Sequence, residues 1–205
     1  MIEALIWDFG GVLTTSPFEA FRRFEAERGL PQDFLRSVNA RHPHDNAWAR
    51  FERAEVDADA FDRAFAEESA ALGHRVGGAE ILPLLAGALR PRMVAALKAA
   101  KARYKLGCIT NNVPTGKGMS REVADVLGIF DHVIESSKVG LRKPDPRIYE
   151  LMCQKLEVTP ELCVYLDDLG VNCKPAAALG MIAIKVESEA QALAGLAKVL
   201  GFELA

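Results

Sequence analysis

ALIWDFGG, residues 4–11, is an apolar, partly aromatic run interrupted by Asp8 and halted by Gly10 and Gly11. A short apolar stretch bounded by glycines reads as a buried strand ending in a tight loop. The same pattern returns in YKLGCIT (104–110), LCVYLD (162–167) and MIAIKV (181–186), with a shorter run, HVIES, from His132. Helical stretches lie between them. Pro91 opens one with Met93, Val94 and Leu97 on a single stripe, and Asp145-Pro146 caps another carrying Ile148, Leu151, Met152 and Leu156. Ser188 and Gln191 fit a capping box ahead of Leu193, Leu196 and Leu200, with Gly201 as the stop. Strands alternating with helices predict an α/β protein whose parallel sheet is covered on both faces.

The stretch 16–88 breaks this rhythm. It has no strand-like alternation and is rich in Ala, Glu, Arg and Phe, so it reads as an all-helical insert between the core segments 1–15 and 89–205. Ser16-Pro17 with Glu19 forms a capping box before Phe18, Phe21 and Phe24, and Gly29 ends that helix. Asp57 caps a second, with Val56 and Phe61 spaced as a hydrophobic staple. An insert placed directly after the first strand sits over the carboxyl end of the sheet, where open α/β sheets bind ligands.

Four polar groups fall at strand ends or before helices. Asp8 is followed by glycines that let backbone N–H groups approach an anion. Thr110-Asn111-Asn112 ends the second candidate strand, Lys143 lies in VGLRKPDPRIY, and Asp167-Asp168 closes another strand before Gly170. Taken singly, each is equally well read as turn or capping chemistry. Together they gain force, because a parallel sheet gathers its carboxyl ends on one edge. Carboxylates brought together repel unless a cation lies between them, and hard oxygen ligands suit Mg²⁺.

The order DFGGVLT, ITNN, GLRKPDPRIY and YLDDLGVN resembles the four signatures of the haloacid dehalogenase superfamily, over the whole chain. YLDDLGVNCKPAAALGMIAIKV is particularly similar to the N-terminal phosphatase domain of soluble epoxide hydrolase and to the related domain fused to some acyl-CoA dehydrogenases. The resemblance implies a Rossmann-like three-layer core with a helical cap after the first strand, and a Mg²⁺-dependent phosphatase acting through an aspartyl-phosphate. Asp8 corresponds to the nucleophile. Thr110 and Asn111 match the phosphate-binding motif, and Lys143 the lysine that steadies nucleophile and phosphoryl oxygens. Asp167 and Asp168 match the acidic pair that holds Mg²⁺ directly or through water, with Asp8 and the main-chain carbonyl of Gly10 completing the metal site.

Gly10 is also the departure from that pattern, since phosphatases of the superfamily usually carry there a second aspartate that protonates the leaving oxygen. Such help is worth about 10²–10⁴ in rate. The insert offers His42, His44, Glu52 and Glu55 as substitutes, each equally readable as a solvated polar residue. Phe18, Phe21 and Trp48 could line an apolar pocket for a lipid phosphate, or simply be core. Two further readings stay open: a 2-haloacid dehalogenase-like hydrolase, against which the Asp167-Asp168 pair speaks, and a catalytically weak module that binds phosphate compounds. Phosphonate hydrolysis by a cap lysine is excluded, because the first lysine is Lys98.

With 205 residues, half of them hydrophobic, the chain fits one substantial core with a small lid. A net charge of −3 gives no basic excess, so neither nucleic acid nor a membrane surface is an expected partner. The expected partner is a small-molecule phosphate ester, and a homodimer is allowed. The opening residues do not read as a signal peptide, and no segment is long enough to span a bilayer. Cys108, Cys153, Cys163 and Cys173 form no C-x-x-C pair and read as buried thiols in a reducing, cytoplasmic setting.

Overall fold

The computed structural model describes residues 1–114 and 119–204; residues 115–118 and Ala205, within the expected core segment 89–205, lie outside the described residues. Five parallel strands form one sheet: β1 (Ala4–Trp7), β2 (Lys105–Thr110), β3 (His132–Glu135), β4 (Cys163–Asp167) and β5 (Ile182–Lys185), in the order β3-β2-β1-β4-β5. Every residue of β1 and β4 is buried, which is why both read as unbroken apolar runs.

Strand alternation sorts the side chains onto two faces. Leu5 and Trp7 point to one layer, with Leu106, Cys108, Val164 and Leu166, and are covered there by α6 (Pro91–Ala100) and α11 (Glu189–Leu200) through Met93, Leu97 and Leu196. Ala4 and Ile6 point to the other, where α9 (Pro146–Leu156) and α10 (Gly170–Ala178) supply Ile148, Tyr149, Met152 and Ala176, while two short helices, α7 (Arg121–Leu127) and α8 (Ser136–Val139), precede and follow β3 in the chain. This is the three-layer α/β core that the sequence pattern implies. All four cysteines are buried free thiols. The expected caps at Asp145, Ser188 and Asp57 form, whereas Ser16 accepts Phe18 N–H without the return bond from Glu19 that a capping box needs. Asp145 caps α9 through Arg147 N–H, and Ser188 caps α11 through Gln191 N–H. The Gln191 side chain reaches Glu187 N–H instead of the cap residue, so the box is displaced by one position.

Every regular element between Pro17 and Leu85 is helical: α1 (Pro17–Glu27), α2 (Phe34–Ala40), α3 (Ala47–Glu52), α4 (Ala58–Ala70), α5 (Gly78–Ile81) and a 3-10 turn at Leu82–Leu85. These helices bury their own cluster, built on Phe21, Phe34, Phe51, Phe61 and Phe65. Asp57 caps α4 by accepting Ala60 N–H. The two chain passages joining this cluster to the sheet run antiparallel, with a bridge between Thr14 and Leu89 and hydrogen bonds from Thr15 N–H to Ala88 O and from Arg90 N–H to Leu13 O. Among the described residues no helix is long and apolar enough to cross a membrane.

Candidate active site

The chain leaves β1 to one side for β2 and β3, and adds β4 and β5 on the other. The carboxyl ends of β1 and β4 therefore flank the switch point of the sheet, where open α/β folds place their ligand crevice. Asp8 and Asp167 stand there. Asp8 N–H still donates to Leu166 O of β4 at 2.8 Å; then the chain turns, and Phe9 N–H folds onto Asp8 Oδ1 at 2.7 Å.

Lys143 reaches the same point from the loop before α9. It is 1% exposed, and its ammonium forms an ion pair with Asp8 Oδ1 at 2.7 Å and donates a hydrogen bond to Asp167 Oδ2 at 2.8 Å. A buried ammonium survives only with such partners, and the two carboxylates hold it protonated, its pKa raised although burial pulls the other way. Asp167 is fully buried. Besides Lys143 it accepts hydrogen bonds from the Tyr165 hydroxyl at 2.5 Å, Leu169 N–H at 2.8 Å and the Asn172 amide at 3.0 and 3.1 Å.

Asp168 differs. It is partly exposed, and its recorded side-chain contact is the Ser16 hydroxyl, which donates to Oδ2 at 3.4 Å. Ser16 also caps α1, where its hydroxyl oxygen accepts Phe18 N–H at 3.5 Å. Oxygens of Asp8, Asp167 and Asp168 lie within 4.8 Å of one another. Burial pushes Asp8 well above the usual carboxylate range, with Asp167 and Asp168 adding and Lys143 opposing. Burial, followed by the charge of Asp167, pushes Asp168 up to about 6. A single ammonium does not balance three carboxylates, so this set of hard oxygens fits a divalent cation of the Mg²⁺ type.

The two glycines behind Asp8 are not equivalent. Gly11 has φ +78°, and a Cβ there would meet Asp168 Oδ2 at 2.2 Å, so the turn requires glycine. At Gly10 a Cβ would meet nothing within 4 Å. No steric reason keeps a side chain out of the position where the family pattern has its acid.

A family model for haloacid dehalogenase-like hydrolases matches residues 2–180. The chain belongs to this family. Among curated relatives, it is 32% identical over 208 residues to acyl-CoA dehydrogenase family member 10 of Mus musculus, covering 98% of this chain and 19% of that protein. It is 30% identical over 216 residues to mouse bifunctional epoxide hydrolase 2, covering 98% and 39%. The chain thus spans well under half the length of these two. A sesquiterpene phosphatase of Aspergillus oryzae is 26% identical over 208 residues, 97% of each chain. Solved structures with the same fold include a family enzyme of Bacteroides thetaiotaomicron in complex with magnesium and inorganic phosphate (18% identity, TM-score 0.61, 90% and 93% of the two chains). An L-2-haloacid dehalogenase is another (22%, TM-score 0.54, 89% and 83%).

Within this haloacid dehalogenase-like site, four sequence candidates meet directly: Asp8, Lys143, Asp167 and Asp168. Thr110 ends β2 beside them and is partly exposed. The Asn111 side chain is already committed. Its Oδ1 accepts Lys143 N–H at 2.8 Å, and its Nδ2 donates to Lys143 O at 3.0 Å, so the amide braces the Lys143 main chain. The acids Glu52 and Glu55 are engaged as well. Glu52 accepts from Arg142, and Glu55 is paired with Arg53, whose hydrogen bond lowers its pKa. Trp48 packs edge-on against Phe61 and Phe65 and donates its N–H to Glu52, so together with Phe21 it belongs to the cluster buried by these helices. Tyr165 and Asn172 went unnoticed in the sequence. Tyr165 had a signal: it precedes Asp167 by two on a strand and so shares its face.

Proposed function

We propose that this chain is a phosphoric monoester hydrolase. One observation carries the reading: at the sheet's switch point a buried lysine joins Asp8 to Asp167, with Asp168 beside them. The Phe9 hydrogen bond and the Lys143 ion pair both fall on Oδ1 of Asp8. Oδ2 then attacks phosphorus, the ester P–O bond breaks, and the leaving oxygen takes a proton from solvent or substrate. Water next attacks the aspartyl-phosphate at phosphorus, the bond to Asp8 breaks, and inorganic phosphate departs with the carboxylate restored. Lys143 stays charged throughout and neutralises phosphoryl oxygens at fixed distance from Asp8, while the Thr110 hydroxyl and Asn111 N–H bind the remaining oxygens.

Asp8, Asp168 and the Gly10 carbonyl would hold Mg²⁺, which when bound screens the charge of the phosphate against the carboxylates. The hydrogen bonds already donated to Asp167 suit it better to anchoring Lys143 than to binding the ion directly. In this reading 1–15 and 89–205 form the catalytic core and 16–88 the cap, and the substrate is a small phosphate ester. The paired aspartates favour phosphate over halide chemistry.

The test is hydrolysis of para-nitrophenyl phosphate, whose leaving group needs little protonation. Turnover should require Mg²⁺, stop with EDTA and be abolished in Asp8→Asn, whose fold survives because the amide is nearly isosteric. Turnover surviving intact in Asp8→Asn would defeat the proposal, and no turnover in any metal would favour a binding module.

A further inference from the structure

One buried carboxylate lies in the seam between cap and core. Glu52, the last residue of α3, is 6% exposed. Its Oε1 accepts from Trp48 Nε1 at 2.8 Å inside the cap. Its Oε2 faces the core, accepting from Arg142 Nε at 2.5 Å and from Asn111 Nδ2 at 3.3 Å. Arg142 also donates to Pro43 O at 3.0 Å, so the guanidinium spans two cap segments.

Both core partners adjoin Lys143. Arg142 precedes it in the chain, and the Asn111 amide clasps its main chain, taking its N–H and donating to its C=O. Lys143 in turn holds Asp8 at 2.7 Å. From Glu52 through Asn111 to Lys143 no hydrogen bond exceeds 3.3 Å, and the Lys143 ion pair completes the path to Asp8. A carboxylate out of water needs charged or donating partners, and Glu52 has its core partners only while the cap rests on the core.

We propose that Glu52 is a positioning residue: through Asn111 and Arg142 it fixes the Lys143 segment, and so sets the Lys143 ammonium against Asp8 when the cap is seated. The role rests on the reading of Asp8 as nucleophile. It differs from plain cap packing, which would cost stability but leave the turnover number of folded protein untouched.

The experiment is a double-mutant cycle of Glu52→Gln and Asn111→Ala, with Glu55→Gln as the exposed control on the same cap segment. Glutamine cannot satisfy Trp48 and Arg142 at once, because its NH₂ must face one donor. With para-nitrophenyl phosphate and Mg²⁺, Glu52→Gln should lower kcat on the order of 10- to 100-fold, with KM changing far less. The double variant should be no slower than the slower single, and Glu55→Gln should match wild type. A wild-type kcat in folded Glu52→Gln, or losses that multiply in the double variant, would overturn the relay. If Glu52→Gln does not fold, Arg142→Lys approaches the same carboxylate from the core and must show the same loss and the same lack of additivity. Amide hydrogen exchange supplies a readout without turnover: the Lys143 N–H should exchange faster in Glu52→Gln while Ile6 in β1 is unchanged. Should wild type hydrolyse nothing, the phosphatase reading falls and exchange alone decides, with an unaltered Lys143 rate ending the proposal.

Discussion

Asp167 and Asp168 are consecutive in the chain and opposite in their surroundings. The floor of the site, with Asp167, Lys143 and Tyr165, is sealed, and every charge there has fixed partners. The rim, with Asp168, Gly10 and Ser16, is partly open and sparsely bonded. One step along a strand end reverses the side-chain direction, so one acid becomes part of the scaffold and the other faces the crevice. Rigidity and reactivity are thereby separated by a single residue.

Substitutions at the two levels should fail in different ways. At the floor, Asp167→Asn leaves Lys143 with one carboxylate in a sealed site. Unfolding by urea should show a loss of about 3–5 kcal/mol, with turnover falling alongside. At the rim, Gly10→Asp fits the open space and installs the missing acid. Hydrolysis of an alkyl phosphate, which needs its leaving oxygen protonated, should rise on the order of 10²-fold, while para-nitrophenyl phosphate gains much less. Equal gains on both esters would mean that position 10 does not face the leaving group. Asp168→Asn should leave metal-free stability unchanged or improved, because like charge is removed from a crowded cluster. Its half-saturating Mg²⁺ should rise on the order of 10- to 100-fold in a titration of activity, and the Mg²⁺-induced gain in Tm should shrink. If Asp167→Asn and Asp168→Asn behaved alike, the distinction between floor and rim would be lost.

How much of this was legible in the sequence follows the same division. Asp8, Thr110, Lys143 and the acidic pair could be named because each ends an apolar run or precedes a helix, and a parallel sheet brings such ends to one edge. The unequal duties of Asp167 and Asp168 could not, since beyond Tyr165 on the same strand they depend on Asn172 and Ser16, which reach the pair from two other parts of the chain. The Glu52 pairing was hidden more deeply. Arg142 lies 90 residues away along the chain, and nothing local to RFERAE marks one glutamate as buried and the other as exposed. Asn111 was read as a phosphate ligand from its place beside Thr110, yet its side chain braces Lys143. Such contacts are long-range, and a local pattern carries no trace of them.

Everything in the proposed chemistry requires a bond between Asp8 and phosphorus. Acid quenching of wild type during turnover of para-nitrophenyl phosphate with Mg²⁺, followed by digestion and mass spectrometry, looks for that bond directly. The expected result is one phosphoryl group on the peptide carrying Asp8, absent with EDTA and absent in Asp8→Asn. Steady turnover with the phosphoryl group on another residue, or undiminished in Asp8→Asn, would contradict it.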